Sequence, residues 1–149
     1  MTPSTLETHL GYWLRLVSNH VSHGFAGKVA AHGVTVAEWV LLRALFDHDR
    51  LAPSAIADAL RMTRGAISKL VDRLAAKGLV EKGSAGGDGR FQSVALTPAG
   101  RALVPQLAGL ADTNDAEFFG HLAPDEARAL EMTLKEIVRR RGIVGVPTD

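Results

Sequence analysis

Apolar residues recur three and four positions apart along most of this chain, and the recurrence changes character only once. Between Thr63 and Gly78, Ile67, Leu70, Val71 and Leu74 fall on one face of a helix, while Arg64, Gly65, Ser68, Lys69 and Arg73 fall on the other. Thr63 suits the position that caps free backbone N–H groups, and Gly78 suits the left-handed position that closes a helix, so the spacing predicts a helix over 63–77. Upstream, Leu6, Leu10, Trp13, Val17 and Val21, followed by Phe25 and Val29, predict a long helix from Thr5 to about His32. Thr35 with Glu38 forms a capping box for a helix from Val36 to about Phe46, with Trp39, Leu42 and Phe46 on one side. Pro53 fits the first position of a short helix through Leu60, whose core contacts are Ile56 and Leu60.

The helical period breaks after Gly78. Leu79–Lys82 and Phe91–Leu96 read as two paired strands with Leu79, Val94 and Leu96 inward, joined through Gly83, Gly86, Gly87 and Gly89. Thr97-Pro98 then opens a helix carrying Leu103, Val104, Leu107 and Leu110 to about Phe119, with Pro105 inside it. Pro124 opens the last helix, whose stripe of Leu130, Leu134, Ile137 and Val138 ends near Arg139–Arg141, and Val144–Asp149 is expected to be a loose tail.

Helix, tight turn, second helix and Gly-rich hairpin make a winged helix-turn-helix. The expected class is mainly α, with a two-stranded wing flanked by N- and C-terminal dimerisation helices. The whole chain, 1–149, reads as one domain, with a core at 34–100 and dimerisation helices at 1–33 and 101–149. Gly11, Gly24 and Gly27 weaken the first helix by about 1 kcal/mol each relative to Ala, so it needs packing partners. Its apolar stripe exceeds what so small a domain can cover, which assigns part of it to a homodimer interface.

The hydrophobic content of 46% and charged content of 22% are those of a soluble globular chain, and no basic-then-apolar leader or membrane span is visible, so a cytoplasmic location is expected. The absence of Cys excludes thiol redox sensing, thiolate zinc sites and disulfides. The net charge of +1 is unevenly placed: residues 61–90 hold seven Lys/Arg against three Asp/Glu, or +4, and the remainder holds ten against thirteen, or −3. Local positive potential is what attracts phosphate.

The polar face of the 63–77 helix carries residue types that a major groove uses. Arg64 and Lys69 suit guanine edges or phosphates, Thr63 and Ser68 suit phosphates or bases, and Gly65 permits close backbone approach. Arg90 leaves the wing tip beside this helix, in position for a minor groove, with Asp88 two residues away to hold its guanidinium.

These residues resemble the MarR family of bacterial transcriptional regulators. The resemblance rests on Leu74-Ala-Ala-Lys-Gly78-Leu-Val80, then Asp88-Gly-Arg90, then Val94-Ala-Leu96-Thr97-Pro-Ala-Gly100, in that order. It implies that Thr63, Arg64, Gly65, Ser68 and Lys69 face bases or nearby phosphates, that Arg73 contacts the backbone, and that Asp88 and Arg90 form a wing pair. The sequence departs from the family pattern at Ala52, where a capping Thr is frequent, and at Gly89, where a second wing Arg is frequent. The resemblance further implies an effector, a small aromatic or phenolic anion, bound between dimer helices and DNA-binding lobe. Trp13, His20, Trp39 and Arg43 are the candidates to line such a crevice, the aromatics by stacking and the cations by pairing a carboxylate.

No cofactor and no metal are expected, because the six His residues are scattered and only His20 and His23 lie close in sequence. No nucleophile elbow, Walker loop or HExxH helix occurs, which argues against an enzyme. The leading expectation is an effector-responsive repressor that binds double-stranded DNA at an inverted repeat, with no membrane partner. The alternative is a winged helix used as a protein-interaction module, its basic face meeting an acidic partner; a small-molecule binder without DNA function is a third.

Overall fold

The computed structural model describes residues 1–83 and 92–149. It is mainly helical, with six helices and one two-stranded antiparallel sheet among the described residues: α1 Leu10–Ala30, α2 Val36–Phe46, α3 Pro53–Leu60, α4 Arg64–Ala76, β1 Val80–Gly83, β2 Ser93–Leu96, α5 Pro98–Phe119 and α6 Pro124–Arg141. The helix starts follow from local hydrogen bonding. Thr35, Thr63 and Thr97 each accept the backbone N–H three residues on, and Glu38 completes the capping box on Thr35. Gly78 closes α4 at φ +73°, a conformation that favours glycine.

Two expected boundaries move. The first helix starts at Leu10 rather than Thr5, because Leu6–Thr8 forms a single 3-10 turn and His9 is extended. That turn is held by the Thr8 hydroxyl donating to the Thr5 carbonyl at 2.7 Å and by the Trp13 indole N–H donating to the Glu7 carbonyl at 2.9 Å. The first strand starts at Val80 rather than Leu79, because the Leu79 N–H bonds the Leu74 carbonyl and its own carbonyl accepts from Thr97. Phe91, the expected start of the second strand, lies outside the described residues.

Val80 pairs with Leu96 and Gly83 with Ser93, and Leu51 adds a single bridge to Val94 through two backbone bonds of 2.9 and 2.8 Å. The core is built around α2. Leu41, Leu42 and Leu45 meet Ile56 of α3, Ile67, Val71 and Leu74 of α4, Val94 of β2 and Leu107 of α5, all at most 1% exposed. Each such side chain contributes about 1.5–3 kcal/mol on burial, so α3 and α4 are fixed against the packed core.

The outer helices are different. No residue of α6 is buried, and Leu130, Ile137 and Val138 are 40–46% exposed; in α1, Trp13, Leu14 and Val17 are 44–54% exposed. Further along α1, Lys28 ties it to α5, donating to Asn114 Oδ1 at 2.9 Å and Glu117 Oε2 at 2.8 Å, while Asn114 donates to the Val21 carbonyl. Residues 143–149 have no regular structure, as expected, but they do not hang free: Val146, Pro147 and Asp149 line a groove against α1, α2 and α5.

Candidate nucleic-acid interface

Two faces of α4 face two different environments. Ile67, Leu70, Val71 and Leu74 are at most 4% exposed, so the apolar stripe is spent on the core. Arg64, Gly65, Lys69 and Arg73 are exposed, Ser68 is half-buried, and Thr63 is exposed at the cap, its hydroxyl accepting from Ala66 N–H at 3.1 Å. Arg64 and Lys69 make no ion pair among the described residues. A methyl group added at Gly65 would meet nothing within 4 Å, so its smallness leaves the surface low there and does not relieve the chain's own packing.

The rear of α4 is anchored by charge. Lys77, the C-cap residue, donates to both carboxylate oxygens of Glu38 at 2.9 Å and to the Gly33 carbonyl at 2.8 Å. Arg73 lies with Nε 3.9 Å from Glu38, its side chain 54% exposed, so it keeps a solvent-facing edge while leaning on this anchor. Burial alone would raise the Glu38 pKa; the Lys77 hydrogen bond and charge, with the Thr35 backbone N–H, outweigh it and hold the carboxyl below 4.5.

The wing base carries two cations that the sequence reading did not single out. Lys82 pairs with Asp72 of α4, and Arg50 donates to the Ser93 hydroxyl at 2.8 Å and lies 3.6 Å from Glu81. Arg50 precedes Leu51, and the Leu51–Val94 bridge delivers it to the sheet edge; no local pattern marks that contact. Asp88 and Arg90, the expected wing pair, lie outside the described residues, as does Gly89.

A groove of about 340 Å³ lies between α1, α2, α5 and the tail. Phe25, Trp39 and Val40 supply its apolar wall, Val146 and Pro147 face them, and Asn114, Asp115 and Asp149 contribute polar atoms. Of the four expected effector residues, Trp39 lines this groove, and Trp13, His20 and Arg43 do not. Trp13 stacks edge-on against Tyr12 at 5.1 Å, far out on α1; His20 is exposed; Arg43 is held by Asp47 at 2.9 Å and lies over the Phe46 ring.

The MarR family model matches residues 32–90, a span that begins just after α1 and takes in α2, α3, α4 and β1. A mutant of E. coli MarR complexed with operator DNA superposes with TM-score 0.73 at 26% identity, covering 87% of this chain and 93% of that one. The chain is similar to MarR-family regulators both in this segment and in its fold. Among relatives, the transcriptional regulator PrsX of Escherichia coli is 27% identical over 112 residues, 74% of this chain and 68% of its own. The structure of Bordetella bronchiseptica BpsR, whose DNA binding is described as regulated by 6-hydroxynicotinic acid, matches with TM-score 0.75 at 26% identity, covering 92% of this chain and 99% of that one. MarR-family proteins like these are transcriptional regulators rather than enzymes, and among the described residues no helix is long and apolar enough to cross a membrane.

Proposed function

We propose that this chain is a homodimeric, sequence-specific DNA-binding repressor of the MarR family that reads an inverted repeat and is released by a small effector. The observation that carries the reading is the outer face of α4, where Arg64 and Lys69 stand exposed without ion pairs among the described residues, beside the low surface at Gly65. Thr63, Arg64, Gly65, Ser68 and Lys69 form the base-facing set, Arg73 contacts a phosphate, and Asp88 with Arg90 acts from the wing in the minor groove. Residues 34–100 constitute the reading unit, and 1–33 with 101–149 the dimerisation helices. The half-exposed apolar stripes of α1 and α6 support that assignment, because unpartnered stripes of this size mark an interface. Two copies about 34 Å apart then meet successive turns of one face of the duplex. The effector site is the groove containing Trp39.

The decisive test combines selection of bound sequences from random DNA with mobility shifts of Arg64→Ala and Arg90→Ala. A palindromic consensus and weaker binding in both variants are expected. Unchanged affinity in both, or binding without a consensus, overturns the reading and favours a protein-docking module instead.

A further inference from the structure

The groove around Trp39 has a charge character of its own. Its charged lining side chains are Asp115 on α5 and Asp149 on the tail, and both are acidic. Lys28, which donates to Asn114 Oδ1, does not line the groove and is also engaged by Glu117. Asn114 is 3% exposed, its amide nitrogen donating to the Val21 carbonyl and its oxygen accepting from Lys28, so it offers a carboxylate no charge and little access. Arg43, the cation an anion would call for, points to Asp47 and does not line the groove. The wall opposite the acids is aromatic, with Phe25 and Trp39 edge to face at 6.4 Å.

From this arrangement we propose that the groove takes a flat aromatic ligand bearing a positive charge, an amine or amidinium, and discriminates against aromatic anions. The inference rests on the effector reading above and deepens it. A volume of about 340 Å³ admits a one- or two-ring molecule. The ring lies against Trp39 and Phe25, where a cation gains from the aromatic face, and its charged head turns to Asp115 and Asp149. A carboxylate in the same position meets two like charges and finds no cationic partner in the lining. The tail is the part of the wall that a ligand engages. Its Gly145 lies against the Arg61 side chain, 3.9 Å from where a Cβ would be, and Arg61 holds the left-handed turn (φ +55°) between α3 and α4. A ligand that draws Asp149 inward therefore acts on the turn that sets the start of the recognition helix.

Isothermal titration of the full chain with benzoate, benzamide and benzamidine compares one shape carrying negative, zero and positive charge. Benzamidine is expected to bind about tenfold or more tightly than benzoate, with benzamide between them. Asp115→Asn combined with Asp149→Asn should lower that ratio, leaving only the terminal carboxylate on the acidic side, while leaving benzamide unchanged, and a chain ending at Gly142 should bind all three more weakly. Benzoate binding as tightly as benzamidine, an unchanged ratio in the double variant, or no binding by any probe overturns the proposal. Operator DNA anisotropy with the same probes separates it from the effector reading. If benzoate binds and releases DNA, the charge assignment fails and the effector reading survives. If benzamidine binds with the stated preference and DNA is retained, the effector reading fails alone.

Discussion

Lys77 closes α4 on the carboxylate of Glu38, with Nζ 2.9 Å from each oxygen of a side chain that is fully buried. One residue thereby fixes the end of α4, the start of α2 and, through Gly33, the turn between α1 and α2. The outer face of α4 is aimed by this anchor behind it. Glu38→Gln is expected to destabilise the fold by about 1–3 kcal/mol at neutral pH, since a charge-assisted pair is lost while shape is kept. Its folded pKa lies below 4.5, so the stability it contributes is present above 4.5 and is lost as pH falls through the depressed value. Thermal melts of both chains from neutral pH to about pH 3 should converge in the acid range; a constant gap across that range contradicts the assignment.

Gly100 explains, in steric terms, one motif seen in the sequence. It lies in the first turn of α5, where an added Cβ would stand 2.1 Å from the Leu79 carbonyl oxygen, an atom that is itself bonded to Thr97 N–H. The crowding atom is backbone and cannot swing away. Gly100→Ala should therefore cost about 1–3 kcal/mol despite alanine's better helix propensity. Equilibrium unfolding checks this, with Gly109→Ala as the control, because nothing lies within 4 Å of its Cβ position; that variant should be neutral or stabilised.

What was legible in the sequence was what is decided within a few residues. Thr35, Thr63 and Thr97 cap as expected, and the α4 stripe is buried as its spacing required, because those signals and their partners lie one helical turn apart. The Lys77–Glu38 anchor, the Leu51–Val94 bridge and the return of the tail were not legible, since each joins distant segments whose meeting only the packed core determines. Trp13 and Trp39 make the same point. Both sit on apolar helical stripes, yet Trp39 lines the groove and Trp13 is 48% exposed near the chain's outer end. Periodicity identifies an apolar face without saying whether it meets the same chain or another.

Lys69 offers a cleaner test of DNA contact than any residue tied into the anchor. It is exposed, pairs with nothing among the described residues and faces away from the core. Lys69→Ala should leave the melting temperature unchanged while weakening operator binding, and for a phosphate contact made by each protomer it should reduce the salt dependence of log K by about 1.8, or about 0.9 per protomer. Fluorescence anisotropy over a range of salt concentrations reads both quantities. A loss of affinity with an unchanged slope assigns Lys69 to a base edge instead; no loss removes it from the interface.

The proposed pairing of two such faces rests on the outer helices. Ile137 and Val138 lie on α6 at 46% and 45% exposure, on a helix with no buried residue, so a charge placed there disturbs little within one chain. Ile137→Glu should leave the helical content intact and convert a dimer into a monomer by sedimentation or light scattering, because burying a carboxylate without a partner opposes association. Binding to a palindromic site should then fall far more than binding to a half-site, since only the paired protein engages both halves at once. A variant that stays dimeric places the interface elsewhere, and one that is monomeric yet binds the palindrome at full strength removes the need for two recognition helices.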